Sequence, residues 1–396
     1  MGKVADNQRQ STSFLLLYAL AWTGGSISYV PFLTILLPVK VTDLAGPQDL
    51  GWLAYIAFAG AVSASVANIG FGWLSDRTRN RRSWITAGLI LSSVILITVS
   101  QARDFLSLLG MIVMWQLALN MMLGPLAAWA GDCVPDGQKG LLGGLLAIAP
   151  AVGALSGAVV TLPGLASADH RLWLVALMVI ICVSPVLLVG APRPLPKLFH
   201  RRDGEVADQA GPRHIVAKMW LARLLVQIAE AALFAYIYFW LRSLDPRISD
   251  NYAASIFGGV LVAAVPLALF VGRWADRSGR PILPLALGAT FAASGLLVMA
   301  LATSITLALA GYVLFGMAAT VFLSLHSAQT LRVLPRPEHR GRDLGLFNLT
   351  NTLPSLIMPW LVLALVPVFG FSGFFWLLAI LASAGALLLF SMLRPA

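Results

Sequence analysis

Twelve continuous apolar runs follow one another along the chain, at about 14–38, 50–74, 84–101, 105–130, 140–163, 171–191, 215–241, 251–274, 281–302, 305–334, 343–368 and 372–393. Nearly all reach the ~20 residues, or ~30 Å of helix, that cross a bilayer. The runs are unbroken, whereas the strands of a membrane β-barrel alternate in segments of ~10 residues. The pattern predicts an all-α membrane protein with 12 transmembrane helices. Most breaks between runs are short and polar. The exception is 192–214, which opens on Pro192-Arg193-Pro194-Leu195-Pro196-Lys197 and continues in mixed charge to Arg213. A polar, proline-rich connector at this point divides the chain into an N-terminal six-helix bundle (1–191), a linker (192–214) and a C-terminal six-helix bundle (215–396).

Composition agrees with the membrane reading. Hydrophobic residues make up 59% of the chain and charged residues 11%, with a mean hydropathy of +0.84. A soluble domain carries roughly 25% charged residues. The net charge of +10 invites a nucleic-acid partner, but its distribution excludes one. With twelve spans, both termini lie on one side. Of the 27 lysines and arginines, Lys40, Arg103, Arg171, Arg242 and Arg247 fall on the other side and Arg223 falls inside a span, leaving 21 with the termini. The positive-inside rule then places both termini in the cytoplasm, with the plasma (inner) membrane as the location. The first 13 residues are polar and the first run is long enough to span, so a cleavable signal peptide is not expected. Cys133 and Cys182 lie near a cytoplasmic helix end and within a span, which favours neither a disulfide nor a metal site.

The two halves repeat each other. Gly72-Trp73-Leu74-Ser75-Asp76-Arg77 returns 200 residues later as Gly272-Arg273-Trp274-Ala275-Asp276-Arg277, and Pro135 returns as Pro335. Each phrase ends an apolar run and opens a cationic loop. Parallel repeats of membrane spans are an architecture of secondary transporters.

With these Gly-x-x-x-Asp-Arg loops between spans two and three and spans eight and nine, the whole chain resembles the major facilitator superfamily (MFS). The second copy, Gly272 to Pro281, is close to the superfamily's loop signature. The first has Arg79 where a glycine is usual, and its wording from Leu74 to Arg82 is nearer the glycoside and sucrose symporter branches. The break Val134 to Gly140 is also similar to the superfamily's loop between spans four and five. The resemblance implies two pseudo-symmetric bundles working by alternating access. It also implies that Asp76 meets the amides at the start of the eleventh helix, near Asp343 and Leu344. A helix N-terminus favours such an anion. Arg77 or Arg81 could reach Asp132 at the end of span four. These contacts would latch the cytoplasmic side, giving Asp76, Arg77, Arg81, Asp132, Asp276 and Arg277 a gating role; a purely topological role is the alternative. Position 332, matching Asp132, is Arg332, so the two halves cannot form equivalent latches.

Polar groups inside spans are costly and point to function. Arg223, Gln227 and Glu230 share one face of span seven, with Arg223 and Glu230 roughly 10 Å apart along the axis. Glu230 is the acid placed well inside a span and is the candidate proton carrier; a static structural pair and direct substrate binding are the alternatives. Arg223 is either its counter-charge or an anchor for an anionic substrate. His326, in span ten, can titrate near neutrality or serve as a neutral hydrogen-bonded interior histidine. Gln329 follows on its face. Trp22, Ser26 and Tyr29 line up on span one, Gln116 and Asn120 on span four, Asn68 on span two, and Asn348 and Asn351 on span eleven. In the family fold spans one, four, seven and ten line the cavity, and amides beside a stacking aromatic suit a hydroxylated ligand.

The expected function is proton-coupled transport of a small organic solute, a sugar or glycoside first, by a monomer in the lipid bilayer. Another coupling ion remains open. Drug or metabolite efflux is the rival, because Ala149-Pro150-Ala151-Val152-Gly153-Ala154 partly resembles the Gly-Pro-x-x-Gly-Gly phrase of drug/proton antiporters. A non-transporting receptor or assembly factor is the reading from another class. Nothing suggests an enzyme, a cofactor, a metal or a nucleic-acid partner: there is no nucleotide loop, nucleophile motif or metal-ligand spacing.

Overall fold

The computed structural model of the chain describes residues 9–193, 213–278, 282–333 and 340–393. Within these, the side chains at 136, 137, 139, 140, 213–216, 276, 278, 327–333 and 340–349 lie outside the description. Among the described residues the regular structure is all helix.

Helix α1 (Thr12–Pro31) starts where the Ser11 hydroxyl accepts a hydrogen bond from the Phe14 amide at 3.2 Å, replacing one partner that the first turn lacks. A π-turn (Phe32–Leu36) follows Pro31, then α2 (Leu37–Ala45) and α3 (Asp49–Thr78). The apolar helical stretch Thr12–Thr78 is 67 residues long, or ~100 Å if straight, about three bilayer cores. Gly46, at φ 53°, breaks it between α2 and α3. Next come α4 (Arg81–Thr98), α5 (Phe105–Cys133), α6 (Asp136–Leu146), α7 (Ala149–Val160) and α8 (Ala168–Leu188). Asp104 caps α5 in a reciprocal capping box with Ser107, and those hydrogen bonds hold its carboxyl below the usual range. The second half supplies α9 (Arg213–Leu244), α10 (Asp250–Ser278), α11 (Ile282–Leu301), α12 (Ile305–Val333) and α13 (Arg340–Phe390). The last of these is broken at Gly370, which adopts φ 66°. Ten apolar stretches among the described residues can cross a membrane. The first and last are each long enough for two passes, so the chain makes the twelve passes that its hydrophobic pattern predicts.

The chain divides into two compact units. The first comprises Met1–Trp52, Ala59–Gly204 and Asp250–Gly258; the second comprises Leu53–Phe58, Glu205–Ser249 and Gly259–Ala396. In the first unit α1 packs on α7 and α8, and α4 packs on α5 and α8. In the second, α9 packs on α13, and α11 packs on α12 and α13. With lipid as apolar as the protein, such packing rests on close approach rather than on exclusion of water. A β-carbon at Gly88 on α4 would lie 2.8 Å from the Cα of Met122 on α5. At Gly288 on α11 it would lie 3.3 Å from the Cβ of Phe322 on α12. Both members of the contact recur at the 200-residue offset of the sequence repeat, so the duplication extends to the packing of corresponding helix pairs.

Gly88→Ala should therefore destabilise the protein by about 1–3 kcal/mol, the usual cost of overpacking a tight contact. Gly110→Ala, where an added β-carbon meets nothing within 4 Å, should leave stability unchanged or slightly raised. Thermal unfolding in detergent compares the two; equal melting temperatures would contradict the close contact at Gly88.

Candidate functional site

In the second unit the polar face of α9 meets α12 and α13. Gln227 Nε2 donates to Glu230 Oε2 at 2.7 Å. Both residues are partly exposed, yet Gln227 Oε1 is buried and has no hydrogen-bond donor among the described residues. Arg223 turns elsewhere: Nη2 donates to Asn351 Oδ1 on α13 at 3.1 Å, and Nη1 to the Leu323 carbonyl on α12 at 3.4 Å. Gln227 therefore serves Glu230, and Arg223 ties α9 to its neighbours. Arg223 lies in electrostatic range of both Glu230 and His326, and Glu230 in that of Tyr312 on α12. His326 is fully buried, and its Nε2 bonds the Met219 carbonyl of α9 at 2.9 Å. A carbonyl can only accept, so Nε2 carries the proton in this contact. The Phe322 ring packs on the imidazole with centroids 5.4 Å apart. The side chains of Gln329 and Asn348 lie outside the described residues.

The first unit holds a second polar group. Asn68 Nδ2 on α3 donates to Asn120 Oδ1 on α5 at 3.2 Å, and Asn120 Nδ2 donates to the Gln116 carbonyl at 2.9 Å. Gln116 and Asn120 are 8% and 7% exposed, so these bonds satisfy amides that would otherwise be costly to bury. On α1, Trp22 stacks on Tyr18 with centroids 6.4 Å apart, and the Tyr18 hydroxyl donates to the Leu126 carbonyl at 2.8 Å. Ser26 is buried against α7, where a β-carbon at Gly153 would lie 3.1 Å from its own. Tyr29 is partly exposed one turn further on.

Two comparisons bear on this arrangement. Residues 219–396 match the sequence model of the Major Facilitator Superfamily. Two solved structures of a bacterial homolog to the human lysosomal transporter Spinster share the fold. The inward-facing, occupied form has a TM-score of 0.69 at 15% identity over 96% of this chain and 94% of that one. The inward-facing, unoccupied form has a TM-score of 0.69 at 16% identity over 96% of this chain and 95% of that one. The second half of the chain thus matches the superfamily in sequence, and the chain as a whole has its fold. It is a multi-pass membrane protein with a transporter's fold. No curated protein matches its sequence.

The superfamily loop after α3 is built around Arg81. Its Nε donates to Asp132 Oδ2 at 2.9 Å, its Nη2 to Asp76, and its Nη1 to Ser75 Oγ and, at 3.4 Å, to the Gly72 carbonyl. Sequence reasoning left Arg77 and Arg81 as equal candidates for Asp132; the geometry selects Arg81. Arg77 instead places its guanidinium 5.7 Å from the Trp73 ring centroid. Arg82 donates to the Gly190 carbonyl just past α8 and covers the Trp129 ring of α5 at 5.5 Å. In the second copy Arg277 is exposed, and the Asp276 side chain lies outside the described residues.

Arg79 caps α3 in the left-handed region at φ 52°. A left-handed cap explains why the superfamily signature has glycine there, since a β-carbon is strained in that conformation by roughly 1–2 kcal/mol. Arg79→Gly should raise the melting temperature, by up to about 1 kcal/mol of stability. No gain would mean that the arginine has compensating contacts.

Two features escaped the sequence reading. Gln10, only 2% exposed, joins three segments. Its Nε2 donates to the carbonyls of Cys133 (3.0 Å) and Arg193 (3.3 Å), and its Oε1 accepts from the Arg193 amide at 2.8 Å. Its backbone exchanges hydrogen bonds with the Gln138 amide at 2.6 and 3.1 Å. In sequence Gln10 is one polar residue in a polar leader, with no signal of this role. The other feature, an ion pair between Arg171 and Asp250, was visible only as two lone charges at helix starts.

Proposed function

We propose that the chain is a proton-coupled secondary active transporter that moves a small organic solute by alternating access between its N-terminal (1–191) and C-terminal (215–396) bundles. The observation that carries the reading is Glu230: a carboxylate inside a span, hydrogen-bonded to a neutral amide and within electrostatic range of Arg223 and Tyr312. Among the described residues Glu230 has this amide as its hydrogen-bond partner and no salt bridge, so it can take up and release a proton without breaking one. Arg223, already bonded to Asn351 and Leu323, supplies a fixed positive charge nearby.

A sugar or glycoside is the favoured solute. Gln227 Oε1 is a buried acceptor without a donor among the described residues, and hydroxyl groups supply donors. In the first unit, the Asn68, Asn120 and Gln116 amides and the Trp22 ring offer the same kind of chemistry to a hydroxylated ring. Asp76, Arg77, Arg81 and Asp132 gate the cytoplasmic side, and Asp276 and Arg277 are their counterparts by sequence in the second half. The excess of Arg and Lys on the side of the termini supports cytoplasmic termini in the plasma membrane.

The test uses purified protein in two steps. Thermal shifts against sugars, organic acids and cationic drugs identify the ligand, because binding stabilises the folded state. Uptake into proteoliposomes is then measured with and without an imposed pH gradient. Stabilisation by a sugar with gradient-driven uptake is the expected result. Stabilisation by cationic drugs alone would replace it with efflux, and uptake indifferent to pH would remove the proton.

A further inference from the structure

At the membrane face opposite the Arg81 loop, three helix ends of the first unit converge. The C-terminal end of α7, the first turn of α8 and the first turn of α10 are joined by polar contacts and faced with small residues. Arg171 on α8 donates through Nη1 to Asp250 Oδ2 on α10, with the two side chains 16% and 21% exposed. Asn251 Nδ2 donates to the Ala158 carbonyl at 2.9 Å and to Thr161 Oγ1 at 3.2 Å. Thr161 in turn donates to the Gly157 carbonyl at 2.7 Å. Two turns along, a β-carbon at Gly258 would lie 3.2 Å from the Ala154 carbonyl, and one at Gly157 would lie 3.9 Å from the Cβ of Ala254.

Helix α10 is continuous, but its first nine residues, Asp250–Gly258, group with the first unit, and from Gly259 it belongs to the second. The means of attachment are those of a reversible joint. The ion pair uses one guanidinium nitrogen rather than the stronger two-point fork, and Arg171 Nε has no acceptor among the described residues. Both charges keep some contact with solvent, which lowers the cost of separation. The apposed faces are glycine and alanine, so no large side chain must be withdrawn from a socket when they part.

We propose that Arg171, Asp250 and Asn251 form a latch that holds the start of α10 against α7 and α8 and opens once in each transport cycle. Its purpose rests on the transport reading, but its existence can be tested without a substrate. In a cysteine-free background, Gly157→Cys with Ala254→Cys places two β-carbons at a spacing that permits a disulfide. Mild oxidation should cross-link the pair readily in the parent. Asp250→Asn or Arg171→Gln should slow cross-linking at least five-fold, Asn251→Ala should slow it less, and the exchanged pair Arg171→Asp with Asp250→Arg should restore it. Ala254→Cys alone, at a site 1% exposed, should react with a membrane-impermeant maleimide at least ten-fold faster once Asp250→Asn is added. If cross-linking and labelling stay at parental rates in the single variants, the latch is refuted. A lower melting temperature with unchanged rates would make the cluster a static brace and equally refute it. Should the exchanged pair not fold, Asn251→Ala still decides, because it leaves both charges in place.

Discussion

Glu230→Gln should abolish accumulation of substrate driven by a pH gradient while leaving exchange at equilibrium intact. The substitution keeps the size of the side chain and its hydrogen bond with Gln227, whose amide can turn to present either end. What it removes is the ability to ionise. Coupling of one proton to one solute can sustain at most about a ten-fold concentration ratio per pH unit, because one unit is worth about 1.4 kcal/mol. The ratio should therefore fall from as much as ten-fold to one. Binding, read by thermal shift, should persist. Tyr312 and Arg223 remain in place in the variant, so lost accumulation with retained binding would separate proton carriage from a structural role. If Glu230→Gln still concentrates the solute, another group carries the proton, with His326 next in line, or a different ion is coupled. The bond from His326 to the Met219 carbonyl weighs against that alternative, because the imidazole already serves to join α12 to α9.

The fold was more legible than the site, for a physical reason. A span declares itself by length and apolarity alone, and a duplicated chain declares its symmetry by repeating itself, so the twelve passes and the 200-residue offset could be read directly. Helical periodicity likewise places Arg223, Gln227 and Glu230 on one face of α9. It cannot say which member of that face meets which neighbour. That depends on the rotation of α12 and α13, set by contacts such as Gly295 on Gly311, where a β-carbon on the latter would lie 2.9 Å from the carbonyl of the former. Gln227 donates to Glu230, while Arg223 reaches Asn351 on a helix more than a hundred residues away. Arg171 and Asp250 looked like ordinary charges at the ends of spans, where charged residues are common. Only the structure brings helix ends 79 residues apart into contact. Gln10 left no trace, since one buried amide in a polar leader is indistinguishable in sequence from a solvated one.

Arg81→Lys should behave as a loss of the residue rather than as a conservative change. The guanidinium serves Asp132, Asp76, Ser75 and the Gly72 carbonyl together, with its own side chain 13% exposed. An ammonium is a single point of charge and cannot span those acceptors. Ser75 is fully buried, so its hydroxyl would lose this donor out of reach of water. The expected cost is about 1–3 kcal/mol of stability, seen as a lower melting temperature, together with slower transport. Asp76→Asn separates the two effects. Its side chain is 63% exposed, so the loss of charge should cost less than about 1 kcal/mol, a shift of no more than about five-fold in a two-state balance. Transport reduced several-fold at near-parental stability would place Asp76 in the opening and closing of the cytoplasmic side. Transport at the parental rate, with unchanged accessibility from both sides, would leave it a purely topological role. The second half cannot compensate for either substitution. By the 200-residue offset Arg81 corresponds to Pro281 and Asp132 to Arg332, which removes both the donor and the acceptor of the clamp. Gating that depends on this clamp must therefore be asymmetric. Asp276→Asn should leave the stability contributed by Arg81 untouched, and an equal loss of stability in Asp276→Asn and Arg81→Lys would show that the second loop has built an equivalent clamp from other residues.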